Sequence, residues 1–412
     1  MKLTKESKNL ISFFAKHNCL TPIKQTNKTR VILQHFYNDI KSGVSYIEQL
    51  KLQKGETFYK MSTKNITNIR QIPKPSTFSP NAFPEEIRKH IDETSLISWT
   101  YDFHLFNKSI QIIFVKENET GVGMYNKYVD YMLVWLYIIN KYAPSNCAKK
   151  LKVFVYHTSL TKVLPNSNAD VLNENNVNTA FTRTCPVDSE IVVFRKEEWF
   201  KVFMHETFHN FGLDFSGINL SESTNKILSL FPVKSEVNLF ESYTEFWARI
   251  MNALFCSFVS LSDKEDVQSF LKNAELFINL ERIYTFFQMV KVLDFMGLKY
   301  VDLYNKTNAS SVLRETMYKE DTNVLSYYVL VAILMNNFQE FLGWSHTNNI
   351  SILRFKKTPH NLREYCRFIE KKYKATNMLE SVECAETMLY TIKRRKNARI
   401  LTSLRMTMCE LG

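Results

Sequence analysis

Apolar positions along this chain alternate between two periods, and the switches mark the elements. Residues 109–116 carry Ile110, Ile112, Ile113, Phe114 and Val115 in a compact run, which predicts a strand paired with residues 99–106 in a hairpin. Residues 124–142, rich in Tyr, Leu and Ile at helical spacing, predict a long helix, and residues 151–157 another strand. Residues 178–183 read as a short strand before the β-branched and aromatic run at 189–195. After Lys196 the period lengthens: Phe200, Phe203, Met204, Phe208 and Phe211 recur at helical intervals, and Gly212 stands where a left-handed cap should end that helix. Between Pro232 and Pro359 there is no proline and the pattern is almost continuously helical. Within it Phe246, Ile250 and Leu254, with Trp247, Met251 and Phe255, form two adjacent i, i+4 rows.

The flanking residues complete the organisation. Residues 1 to about 70 read as helical and basic, clearest over 30–41, and Pro73, Pro75, Pro80 and Pro84 make residues 71–84 an extended connector. The expectation is an α+β chain in three parts: a basic helical region with its connector (1–84), a strand-containing part ending in a helix (85–218), and a mostly helical part (219–412). With 45% hydrophobic residues the chain can bury a sizeable core. No stretch reads as a transmembrane segment or a signal peptide, so a soluble, intracellular protein is expected. The seven dispersed cysteines include no Cys-x-x-Cys pair, which predicts neither a disulfide framework nor a structural zinc site and fits a reducing compartment.

Positive charge changes the picture near the C-terminus. The net charge of +12 concentrates in Lys356, Lys357, Arg363, Arg367, Lys371, Lys372 and Lys374, then Lys393, Arg394, Arg395, Lys396 and Arg399. Such a cluster suits contact with nucleic acid, an anionic surface or an acidic substrate, and equally suits a solvated face of basic helices. No nucleic-acid-binding motif accompanies it.

The candidate chemistry lies in His205-Glu206-Thr207-Phe208-His209. On a helix the two histidines fall four residues apart on one face, where both imidazoles can bind one Zn²⁺, and Glu206 can act as general base on a water at the open position. A catalytic zinc site needs a third protein ligand. A histidine six residues after the second is not available, because Phe215 stands there. Asp214, one residue short of that position, competes as ligand or as a turn carboxylate contacting a ligand. Downstream, Glu241 and Glu245 lie one helical turn apart on a common face, so that one can bind zinc while the other orients an imidazole through its far nitrogen. Glu241 is the preferred ligand and Glu245 the orienting residue, with the reverse assignment open.

Taken together, His205, Glu206, His209, Glu241 and Glu245 resemble the gluzincin branch of the zincin metallopeptidases, which includes thermolysin-like enzymes and the anthrax lethal factor protease. Phe246, Trp247 and Ala248 after the second acid are closer to the lethal factor type, and Phe215 departs from the metzincin clan. The resemblance implies a zincin-like catalytic domain, a small mixed sheet with an edge strand plus the active-site helix, followed by a helical subdomain carrying the third ligand. It implies one Zn²⁺ per chain, a polypeptide substrate hydrolysed by a zinc-activated water, and an edge strand on which Ala180 and Phe181 meet the substrate backbone. It also implies an oxyanion donor from downstream, sought within residues 322–328 and assigned to Tyr328, although a core tyrosine bonded to a carbonyl is the plainer account of that residue. Abundant Lys, Asn, Ile and Phe with scarce Gly is the usage of an AT-rich genome and is similar to the metallopeptidases of large DNA viruses, which implies a host-cytoplasmic or virion location. Two rival functions fit the same residues: a catalytically silent, basic structural or nucleic-acid-associated protein on that fold, and a zinc hydrolase acting on a non-peptide bond.

Overall fold

The computed structural model describes every residue except 56, 57, 77, 79–81, 119, 120 and 395–397, so Pro80 of the expected connector and Arg395 and Lys396 of the basic cluster lie outside the described residues. Six strands form one mixed sheet: β1 (Lys60–Asn65), β2 (Ile97–Leu105), β3 (Lys108–Lys116), β4 (Lys150–His157), β5 (Ala180–Thr182) and β6 (Asp188–Val193), in the order β1-β2-β3-β4-β6-β5. The chain is thus mixed α+β, with every one of these strands before residue 194. β2 and β3 form the expected hairpin across Phe106 and Asn107, both at positive φ, as a two-residue turn with the twist of its strands requires. β3, β4 and β6 are parallel neighbours, and β5 returns antiparallel on β6 at one edge. The opposite edge, β1, falls inside residues expected to be helical. Its sequence, Lys-Met-Ser-Thr-Lys-Asn, is almost wholly exposed and offers no apolar alternation to read.

Both faces of the sheet are covered. Ile112 and Phe114 of β3 and Val153 and Val155 of β4 face the main core, while Ile113, Val115, Phe154 and Tyr156 face a smaller one under α3 (Glu85–Thr94), lined by Ile87 and Ile91. Strands buried on two sides read as continuous apolar runs. The main core continues through α1 (Lys5–His17) and α2 (Asn27–Lys54), with Phe14, Leu33, Phe36 and Ile40 buried in it, so the first 54 residues pack into the same cluster as the rest. α4 (Gly123–Tyr142) crosses from β3 to β4, a single turn α5 (Glu174–Val177) precedes β5, and α6 (Trp199–Asn210) follows β6.

The remaining chain is helical: α7 (Ser221–Leu230), α8 (Leu239–Val259), α9 (Val267–Phe295), α10 (Asn308–Met317), α11 (Val331–Asn336), α12 (Phe338–Asn348), α13 (Pro359–Lys372) and α14 (Thr376–Arg394). α8 and α9 are buried over most of their length and on all sides, which marks them as interior helices. Among the described residues no helix is long and apolar enough to cross a membrane. Residues 404–409 are buried too, held by two carboxylates. Glu198 accepts from the backbone N–H groups of Met406 and Thr407, and Glu281 from the Thr407 hydroxyl at 2.6 Å and the Cys409 N–H at 2.7 Å. No sequence pattern announces that segment.

One feature corrects the sequence expectations. Disulfides join Cys19 to Cys384 and Cys147 to Cys185, across 365 and 38 residues, pairings that only the fold brings together; Cys256, Cys366 and Cys409 are free and buried. The C-terminal cations are spread over α13, α14, a short helix at Ala398–Thr402 and neighbouring loops, and several meet acids: Arg363 with Glu222, Arg367 with Glu364, Lys372 with Glu340, Lys393 with Asp294 and Arg399 with Glu6.

Candidate metal centre

α6 is anchored from behind before it presents anything to the front. Thr207 accepts a hydrogen bond from the Trp135 indole at 2.7 Å and donates to the Met204 carbonyl, fastening α6 to α4. Asn210 donates to Thr182 and accepts from Ser189, fastening it to β5 and β6. The helix ends in a Schellman motif, with Gly212 at φ +67°, its N–H donating to the His209 carbonyl and Leu213 N–H to that of Phe208. The expected left-handed glycine cap is therefore present.

On the front, His205, His209 and Glu241 converge. The two Nε2 atoms lie 3.2 Å apart, and Glu241 Oε2 is 3.0 Å from His205 Nε2 and 3.5 Å from His209 Nε2. Ligands about 2.05 Å from a tetrahedral ion are separated by roughly 3.3 Å, so these three atoms have the spacing of one face of that tetrahedron. They form a group that could hold a metal ion. The far nitrogens are committed: His205 Nδ1 is 3.0 Å from Glu245 Oε2, and His209 Nδ1 contacts Asp214 Oδ2. A donated Nδ1–H leaves the Nε2 lone pair aimed at the common centre, the tautomer a metal requires. Asp214 thus takes the orienting role of its two sequence-level options, and it is itself held by the Ser216 hydroxyl at 2.9 Å.

Glu241 and Glu245 differ sharply in environment. Glu245 is 1% exposed and ion-paired with Lys201 at 2.9 Å and Arg249 at 2.8 Å, and these cations hold it well below the usual carboxylate range against the opposing effect of burial. Glu241, in the first turn of α8, has a side chain 13% exposed and, among the described residues, no lysine or arginine partner. Burial would raise its pKa, but the two histidines outweigh it and hold the carboxyl well down. Burial pulls the imidazole of His209 down, and Glu241 and Asp214 reverse that, raising it well above its ordinary value. Glu206 is the exception to this pairing. Burial lifts its carboxyl above the ordinary range, outweighing both histidines.

Glu206 lines a narrow cleft together with His205, Lys201, Ala180, Tyr327 and Met406. β5 forms one rim. Phe194 N–H donates to the Thr179 carbonyl at 2.9 Å, so ladder alternation turns the peptide groups of Phe181 toward β6 and those of Ala180 and Thr182 outward. Ala180 lines the cleft. Phe181 does not face the cleft: strand alternation sends its ring to the opposite side of the sheet, 5.4 Å from Phe83.

The tyrosine assignment shifts by one residue. Tyr328 is 1% exposed and donates to the Leu404 carbonyl at 2.9 Å, away from the site. Tyr327 instead donates to Glu241 Oε2 at 3.0 Å, with its ring 6.0 Å from that of His205. Both lie in a π-helical turn, Leu325–Leu330, whose extra residue per turn no helical-wheel argument anticipates. Burial raises the Tyr327 phenol well above its ordinary pKa, so it stays a donor. Lys201 and Arg249, which hold Glu245, were not singled out in the sequence; their i−4 spacing from His205 and i+4 spacing from Glu245 is the signal that would have found them. No protein-family model matches this chain, and no curated protein or solved structure matches it.

Proposed function

We propose that this protein is a zinc-dependent metallopeptidase. One observation carries the reading: two imidazole nitrogens and a carboxylate oxygen converge within 3.5 Å, each imidazole oriented from behind by its own acid, beside a buried glutamate with no ion pair among the described residues. His205, His209 and Glu241 would hold Zn²⁺, whose chemistry is to make a bound water acidic near neutral pH and to polarise a carbonyl. Glu206, buried beside His205 and lining the cleft, would take the water's proton and later deliver it to the departing amine. Tyr327 supplies a hydroxyl donor for the developing oxyanion. The outward N–H and C=O groups of Ala180 and Thr182 suit an extended peptide laid along β5, where among the described residues no further strand pairs.

The test is elemental analysis of purified protein together with cleavage of a random peptide library. One zinc per chain, and cleavage abolished in Glu206→Gln while zinc is retained, is the expected result. A wild-type protein without zinc refutes the metal assignment; zinc without cleavage of any peptide refutes the peptidase assignment and leaves a silent or non-peptide site.

A further inference from the structure

Behind the His209 side of the centre stands the Cys147–Cys185 disulfide. Cys147 precedes β4, and Cys185 lies three residues after β5. The Cys185 N–H donates to the carbonyl of His209 at 3.1 Å, the same carbonyl that receives Gly212 N–H in the helix cap. The disulfide packs against that cap so closely that a Cβ on Gly212 would stand 3.2 Å from Cys147 Sγ and 3.2 Å from Cys185 Cβ. One residue before Cys185, the Thr184 hydroxyl bonds that of Ser216 at 2.8 Å, and Ser216 in turn holds Asp214, the acid that orients His209. Cys185 itself sits at φ +48° and Ala148 at φ +50°, conformations that non-glycine residues keep only when their surroundings impose them. A single covalent bond thus braces the turn from His209 to Asp214.

We propose that the Cys147–Cys185 disulfide is a redox latch on the metal centre: oxidised, it fixes the His209–Asp214 arrangement; reduced, it loosens that arrangement and weakens metal binding. The inference rests on the metallopeptidase reading for the identity of the metal. The step is a two-electron exchange in which a dithiol reductant gives two electrons and two protons to the S–S bond, leaving Cys147 and Cys185 as thiols and itself becoming a disulfide. Attack is on the Cys185 side, since Cys185 is partly exposed and Cys147 is buried. Reduction frees the 183–186 loop from its covalent tie to the start of β4. The Cys185–His209 and Thr184–Ser216 bonds then depend on a left-handed residue that nothing covalent maintains.

Loss of the partner that orients a metal-binding histidine costs about 10- to 100-fold in metal affinity, which bounds the effect of opening the latch. The experiment measures zinc affinity by competition with a chromophoric chelator, using a phosphine reductant because dithiols bind zinc. Four full-length proteins are compared: wild type, Cys147→Ser/Cys185→Ser, Cys19→Ser/Cys384→Ser and Asp214→Ala, with the bonds opened at each reductant level mapped by alkylation. Expected are a roughly tenfold weaker affinity in reduced wild type and in Cys147→Ser/Cys185→Ser, no change in oxidised Cys19→Ser/Cys384→Ser, and an Asp214→Ala affinity that reduction no longer alters. Unchanged affinity in wild type whose Cys147–Cys185 bond is open overturns the proposal, even where the double variant does not fold. Oxidised wild type that binds no zinc overturns the metal reading itself, and this proposal with it.

Discussion

Replacing Glu245 and Glu241 in turn by alanine separates two carboxylates that the sequence could not rank. Glu245 is sealed between Lys201, Arg249 and His205, all nearly inaccessible. Its removal leaves two buried cations without their acid; Arg249 keeps the Thr285 hydroxyl at 2.6 Å, a neutral partner. Breaking a buried ion pair from one side costs about 3–5 kcal/mol, a large share of the roughly 5–15 kcal/mol that holds a typical domain together. Among the described residues Glu241 bonds histidines and a tyrosine, and a histidine that loses its acid can shed its proton where Lys201 and Arg249 cannot, so its removal from the metal-free protein should cost less than that of Glu245.

On the zinc-site proposal, added zinc should reverse the ranking. If a four-ligand zinc site is worth about 10–16 kcal/mol, one ligand accounts for roughly 3 kcal/mol, or about two orders of magnitude in affinity. At a free zinc level of about 100 times the wild-type Kd, binding stabilises wild type by about 2.7 kcal/mol. The same zinc level stabilises a variant weakened about tenfold by roughly 1.4 kcal/mol and one weakened about 100-fold by about 0.4 kcal/mol. Urea unfolding followed by tryptophan fluorescence, in chelator and in buffered zinc, reads both quantities. Glu245→Ala should unfold much earlier without zinc yet still respond to it; Glu241→Ala should be the sturdier of the two without zinc and barely respond. The opposite pattern, a fragile Glu241→Ala and a sturdy, zinc-blind Glu245→Ala, would refute the assignment and exchange the two roles.

Tyr327→Phe should lower kcat about 100-fold with zinc content unchanged, as loss of one oxyanion donor does, whereas Tyr328→Phe should keep turnover and lose about 1 kcal/mol of stability; steady-state kinetics beside a denaturant curve distinguishes them. Gly212→Ala, which places a side chain at φ +67° against Cys147 and Cys185, should cost about 2–4 kcal/mol, read as a lowered unfolding midpoint. Lys291 is buried in α9, donates to the Ile400 carbonyl at 2.9 Å, and burial pushes its pKa down to about 7. The unfolded chain holds that proton up to about pH 10.4, so the destabilisation is complete below pH 7 and fades as pH rises from 7 towards 10. Lys291→Met should therefore stabilise the protein by a few kcal/mol at pH 6–7, with the advantage shrinking by pH 9.5 in unfolding curves taken across that range.

What the sequence disclosed, and what it withheld, follows from the reach of each signal. Strands buried on both faces and helices with apolar rows announce themselves through periodicity, so β2 to β6, α4, α6 and α8 were legible near their observed bounds. The i, i+4 spacing of His205 and His209 and of Glu241 and Glu245 is equally local, and the fold sets these pairs against one another. β1 stayed hidden because a polar edge strand carries no alternation. Phe181 and Tyr328 were assigned from neighbourhood in the chain, where a shift of one residue changes the face presented: alternation turns one away, and the π-turn brings Tyr327 forward in place of the other. The disulfides and the buried 404–409 segment rest on contacts between residues tens to hundreds of positions apart, for which one chain offers no periodic trace. It is among these long-range contacts that His205 and His209 acquire unequal support. His205 leans on a buried acid held by two cations, and His209 on a turn held by hydroxyls and one disulfide. The His209 half of the centre is accordingly the one that conditions outside the fold can alter.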